Sequence, residues 1–203
     1  MNPAEVGGGG SGAAAAAPQR NAAAIAYASR GARFEGDKKD IALYIQRSKN
    51  GNVVVYDVKS VPNVATGRAL DAAEPIDAYW LDIDPAYRAK ARAAGKTSDR
   101  DELGWLDKWK AYGVSTSDVQ AQNATVQFVA LPSKATRLTL ERDSVGNNYV
   151  PMIRCNINGV ENCVLERIWV ESDESGWFPS VVYIDLFGLH PTTLQPITER
   201  LRQ

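Results

Sequence analysis

The stretch Ile41–Val58, "IALYIQRSKNGNVVVYDV", decides how the rest of the chain is read. Two runs rich in β-branched and aromatic residues flank Asn50-Gly51, a dipeptide suited to a type I′ hairpin turn because both central residues need positive φ. Pairing residue 49 with 52 sets Leu43, Ile45 and Arg47 beside Val58, Tyr56 and Val54 on one face, and the other face, with Tyr44, Gln46, Val55 and Asp57, is mixed. The first face is apolar except for Arg47, one step of the pleat from the turn. Such an arginine can keep its stem on an apolar wall and its guanidinium at an opening, where it would meet the head of an anionic amphiphile. The tail of that ligand is then expected against Leu43, Ile45 and Tyr56.

Outward from the hairpin, "PIDAYWLDID" reads as a third strand with Tyr79, Leu81 and Ile83 on one side and Ile76, Ala78 and Trp80 on the other, hence covered on both faces. Asp84-Pro85 starts a short helix that ends at Gly95 and carries Arg88, Lys90 and Arg92, with Lys96 just beyond. Those cations predict a solvated helix, with an acidic partner or a membrane surface as the other reading. Ser98 and Asp101 open a helix predicted over 99–113, where Leu103, Leu106, Trp109 and Tyr112 recur at three-residue spacing beside Trp105 and Gly113 ends the pattern. It is expected to pack on the sheet through Leu103, Leu106 and Trp109. Then come "TVQFVAL", "TRLTLERD", "YVPMIRCNI", "VENCVLERIWVE" and "SVVYIDLFG", followed by a predicted C-terminal helix with Leu194, Ile197 and Leu201 on one stripe. Successive strands with short connections predict a mainly β protein with minor α: an antiparallel β-barrel or sandwich with one amphipathic helix packed on it.

Composition bounds the partners. The chain has 203 residues, 44% hydrophobic and 23% charged, with 23 basic and 24 acidic side chains, so no global field draws it to nucleic acid. No apolar run approaches the roughly 20 residues of a transmembrane helix. Residues 1–36 read as a low-complexity tail of Gly and Ala, and 37–203 as a single β-rich domain; the tail is too apolar-poor in pattern to bury surface, so its removal is expected to leave the melting temperature nearly unchanged. Its Arg20, Arg30 and Arg33 resemble a transit peptide weakly and no secretory core is present, which favours a cytoplasmic or organellar setting over a secreted one. The two cysteines flank Asn158-Gly159. A two-residue loop pairing 157 with 160 sets Cys155 opposite Asn162 and turns Cys163 to the other side of the sheet, whereas a three-residue loop would set the thiols opposite each other. The reduced state is the favoured reading, and two cysteines make no metal site.

Common catalytic spacings are missing from the sequence, which has no Gly-x-Ser-x-Gly elbow, phosphate loop, His-Glu-x-x-His or dinucleotide fingerprint. His190 is the sole histidine, with Asp185 as the candidate carboxylate to orient it. More informative are charges on apolar strand faces: Glu166 between Val164 and Ile168, Arg167 between Leu165 and Trp169, and Asp185 between Tyr183 and Phe187. An unpaired buried charge costs several kcal/mol, so at least one of Arg47, Arg154 and Arg167 is expected to pair with Glu166 or Asp185. Tyr56, Trp80 and Trp105 read first as core packing between helix and sheet, and alternatively as the aromatic wall of a cavity. The candidate ligand-binding set is Arg47, Tyr56, Trp80, Trp105, Glu166, Arg167 and Asp185, with no catalytic residue, cofactor or metal expected.

The blocks "YIQRSKNGNVVVYDV", "PIDAYWLDID", "ELGWLDKWKAYGV", "INGVENCVLERIWV" and "VVYIDLFG", in this order over about residues 41–188, resemble the mainly bacterial family catalogued as domain of unknown function 4833. The resemblance implies no reaction and brings no catalytic residues. The family pattern carries Glu where Asp185 stands, and the low-complexity N-terminus and "PAYRAKARAAGKTS" depart from it. The expected function is therefore a non-enzymatic binding domain for a lipid-like or other amphipathic small molecule. The alternatives are an interaction or assembly subunit with a packed core, and a hydrolase-like enzyme drawing on Asp185, Glu166 and His190.

Overall fold

Strands β1 (Ile41–Arg47) and β2 (Asn52–Val58) pair antiparallel, with Leu43 opposite Tyr56 and Ile45 opposite Val54. This register differs by two residues from the one read in the sequence, and because the pleat repeats every two residues the same side chains stay on the inner face. The computed structural model describes residues 40–47, 52–142, 148–173, 175 and 180–202, so the Asn50-Gly51 turn and the N-terminal tail lie outside the described residues.

The remaining elements are β3 (Ser60–Asn63), β4 (Gly67–Leu70), β5 (Ile76–Asp82), α1 (Pro85–Ala93), β6 (Arg100–Glu102), α2 (Trp105–Asp107), a π turn (Lys108–Tyr112), β7 (Val114–Ser117), β8 (Asn123–Phe128), β9 (Thr136–Arg142), β10 (Tyr149–Ile157), β11 (Val160–Asp173), β12 (Ser180–Leu189) and β13 (Pro196–Arg202). The main sheet runs β6-β5-β2-β1-β11-β10-β9-β8-β7, while β3 and β4 form a separate hairpin. Among the described residues every pairing is antiparallel except β1 with β11, which is parallel. β10 and β1 follow one another along one edge of the long β11, and β12 with β13 continue from its other edge. That branching lets the β5–β2–β1 half fold over the β10–β9–β8–β7 half as a sandwich-like sheet; it is not a closed barrel. Tyr56 of β2 meets Phe128 of β8 edge to face at 4.9 Å, which fixes the two halves as facing layers.

The third strand is covered on both faces, as its alternation predicts: Ile76 and Ala78 belong to the inner core, Tyr79 and Leu81 to a second cluster with Ile41, Val53 and Val55. α1 forms where expected, its Asp84 side chain accepting from the Ala86 and Tyr87 N–H groups. Its cations are largely engaged. Arg88 makes two hydrogen bonds to Asp99 at 3.1 and 2.7 Å, and Lys96 reaches Asp82 and Asp101 at 2.6 Å each.

Three expectations are corrected. The helix predicted over 99–113 is instead β6 followed by one α turn and one π turn, because Tyr79, Trp80 and Leu81 of β5 supply ladder partners to residues 100–102 and this pairing overrides the local helical pattern. Leu103 and Tyr112 are buried, but Leu106 and Trp109, expected to pack on the sheet, are exposed. The C-terminal helix is the strand β13, in which Ile197, Glu199 and Leu201 alternate inward and Leu194 sits in the preceding turn at φ 58°. Last, Cys155 does not face Asn162. The two-residue turn at Asn158-Gly159 is present, with φ of 51° and 81° and Ile157 opposite Val160, but a bulge at Asn162, φ 58°, adds a residue to β11 and brings Cys163 opposite Cys155. Both thiols are free and buried.

Candidate functional site

The sandwich is open where the 76–78 stretch of β5, beyond its pairing with β6, approaches the terminal strand β7. A groove of about 300 Å³ lies there, with Ile76, Asp77 and Ala78 on one wall and Lys108, Tyr112 and Val114 on the other. The β5 wall is acidic and internally tied. Asp77 accepts from the Ala78 N–H at 2.9 Å and from Arg100 Nη2 at 2.6 Å, while Lys59 is engaged by Glu74.

Tyr112 builds the opposite wall, and its position follows from the end of the π turn. Gly113 must follow it, since a Cβ there would run into the Lys108 carbonyl oxygen. The Tyr112 ring meets Trp80 edge to face at 5.1 Å, and its carbonyl accepts the Tyr56 hydroxyl at 2.9 Å. Burial pushes the Tyr112 phenol above its usual range; the nearby Arg47 guanidinium opposes that rise and Asp107 adds to it. Tyr112 is therefore shared between the groove and Arg47. Arg47 itself lies at the open end of the inner face, and its Nε is buried with no hydrogen-bond partner. Among the described residues no carboxylate pairs with this guanidinium.

The sequence-derived candidates divide into four places. Trp80 packs on Tyr112, the Arg47 charge bears on its phenol, and Tyr56 is fully buried, its hydroxyl held well above the usual range by burial. Because Leu43, Ile45 and Tyr56 are 0–1% exposed, the space expected to take a ligand tail is filled by neighbouring side chains. Trp105 is on the surface of the α2 turn, 75% exposed. Glu166 is buried on β11 beside the register shift between Leu165 and Arg167, while Arg167 and Asp185 face outward across β11, β12 and β13.

Arg167 stacks on Phe187 at 4.0 Å, and Asp185 receives two 2.7 Å hydrogen bonds from Arg200, which itself stacks on Tyr183 at 3.8 Å. These Arg200 bonds, more than the farther Arg167, hold the Asp185 carboxyl below the usual range. The pairing expected for Asp185 with Arg47, Arg154 or Arg167 thus gives way to Arg200, and Arg154 is bound to Glu141 at 2.9 and 2.6 Å. Arg200 was missed because its segment reads as helix; read as a strand, its alternation with Ile197, Glu199 and Leu201 would have placed it outward. His190 is used locally, Nδ1 accepting from the N–H groups of Thr192 and Thr193, and does not adjoin Asp185 through any hydrogen bond.

Among the described residues no group of His, Cys, Asp and Glu is set to hold a metal ion, and no helix is long and apolar enough to cross a membrane. Residues 43–200 match the family described as Domain of unknown function (DUF4833). No curated protein and no solved structure matches the chain.

Proposed function

The chain belongs to that family of unknown function, and since the family supplies no reaction, we propose from the geometry that the domain is a non-enzymatic binding module for an anionic amphipathic small molecule. The observation that carries the reading is Arg47, whose buried Nε lacks a hydrogen-bond partner beside a tyrosine that also walls an open groove. A guanidinium without a carboxylate is an incomplete ion pair, and a carboxylate or phosphate head group completes it. Tyr112, backed by Trp80, supplies apolar wall with a fixed polar point, and the groove between β5 and β7 replaces the filled interior as the place for the tail.

Titration with a fluorescent fatty acid tests this. Wild type is expected to bind saturably and Arg47→Ala more weakly by roughly 1–3 kcal/mol, the worth of a charge-assisted hydrogen bond. Equal affinities, or no saturable binding by wild type, would sink it.

A protein partner is the second reading, favoured by one observation: among the described residues β7 is paired only with β8, so its outer edge is open to an added strand. The facing edge of β5 is less receptive, because Asp77 already takes the Ala78 N–H. Native mass spectrometry after solvent extraction separates the two, a retained lipid favouring the first and a stable complex the second.

A further inference from the structure

The α2 turn and the π turn that follows it and carries Tyr112 into the groove present two tryptophans to solvent. Trp105 and Trp109 are 75% and 70% exposed, with Leu106 between them in sequence at 45%. Tryptophan is highly buried on average, so two exposed four residues apart on one turn form a patch that packing does not explain. The turn geometry puts them on neighbouring ground, since residues four apart share a helical face.

Lys108 and Lys110 lie within the same short segment, and Asp107 is folded back toward Gly104, 3.5 Å from the position of a Cβ there. Apolar side chains interleaved with lysines match the boundary of an anionic bilayer, where indole rings sit at head-group level and ammonium groups meet lipid phosphates. We infer that the Trp105–Leu106–Trp109 turn is a docking face for an anionic phospholipid surface.

The area of the patch decides against a second copy of the chain. Three side chains exposed to this degree offer roughly 400 Å², using about 150–250 Å² for each large side chain. A stable protein interface buries about 800 Å² per partner. A bilayer needs no such complementary area, because a few inserted rings suffice when lysines add attraction to the surface charge. This docking goes beyond the ligand reading and does not depend on it.

Sedimentation with vesicles, without added fatty acid, tests the docking. The intact chain is expected to sediment with vesicles of phosphatidylcholine plus phosphatidylglycerol, less with phosphatidylcholine alone, and less as salt rises. The double variant Trp105→Ala/Trp109→Ala should lose roughly tenfold or more in partitioning while its melting temperature stays close to wild type. Lys108→Glu should lower binding to the anionic vesicles and leave the weak binding to phosphatidylcholine unchanged. Absence of wild-type binding at low salt, or equal partitioning by the double variant, would overturn the inference. So would a stable dimer in solution that the double variant dissolves. The vesicle results with wild type and the double variant are independent of the fatty-acid titration with Arg47→Ala.

Discussion

Arg47 pairs an apolar face with a buried Nε that has no hydrogen-bond partner, and the two give opposite signs to stability and binding. Replacing it by Met keeps the stem and removes a buried donor left without a partner, so Arg47→Met is expected to raise the melting temperature by about 2–4 °C, equivalent to about 1 kcal/mol in a domain of this size. Binding of the fluorescent fatty acid should fall in the same variant. A lower melting temperature would mean that the charge is satisfied in the fold and needs no ligand. The residue was legible in the sequence as a lone cation on an apolar face. Its neighbour Tyr112 was not, because a tyrosine at three-residue spacing reads as core, and only the observed turn turns its ring toward Trp80 and its edge toward the groove.

At the scale of elements, the α2 and π turns separate what spacing suggests from what packing selects. Leu103→Ala should cost about 2–4 kcal/mol, as for a buried aliphatic side chain, whereas Trp109→Ala should stay within about 0.5 kcal/mol of wild type. Urea unfolding of the two variants checks this, and a large loss for Trp109→Ala would restore the packed helix that the spacing predicts. Two glycines test the β10–β11–β12 pairing in the same way. Gly159, at φ 81°, has nothing near its missing Cβ, so Gly159→Ala should cost only the backbone strain of about 1 kcal/mol. At Gly188 a Cβ would meet the Val164 carbonyl oxygen and lie 2.7 Å from Ile157 Cδ1. Backbone cannot yield without opening the β11–β12 ladder, so Gly188→Ala should cost about 3 kcal/mol and exceed the loss at Gly159. The reverse order in thermal unfolding would contradict the observed register.

The whole molecule is closed at its C-terminal strand by Glu199, and this makes its stability sensitive to acid. Lys134 donates to Glu199 at 2.7 Å and also to the Asn156 carbonyl, and the Asn158 N–H reaches Glu199 at 2.6 Å, so one carboxylate ties β13 to the β10–β11 turn. Burial alone would raise its pKa, but the Lys134 and Asn158 hydrogen bonds and the Lys134 charge hold it below the usual range. A carboxyl held low in the folded state contributes stability above its unfolded value, roughly pH 4, and loses it as pH falls through the lower folded value. Asp99 and Asp185, lowered chiefly by Arg88 and Arg200, act in the same direction. Glu199→Gln should therefore lose about 1.5–3 kcal/mol at neutral pH, the range for hydrogen bonds to a charged group, and the gap to wild type should close in strong acid. Urea titrations across pH check it; a gap independent of pH would remove the charge from the account.

What the sequence determined by itself was most of what depends on the alternation of neighbouring residues: β1, β2, β5 and β8 to β12, an Asn158-Gly159 turn between β10 and β11, the capped α1 and the side chains that share the inner face. A strand's faces follow from a period of two, and a turn's chemistry from the few residues that accept positive φ. Tertiary structure alone decided what depends on distant partners. The pairing with β5 made residues 100–102 a strand, and β12 drew out β13, setting Arg200 on Asp185. One extra residue at Asn162 brought the thiols opposite each other. The groove arose only where β5 and β7 of the two layers come together, a place that no local pattern records, because it is made by the backbone groups and side chains left over once every stronger pairing has formed.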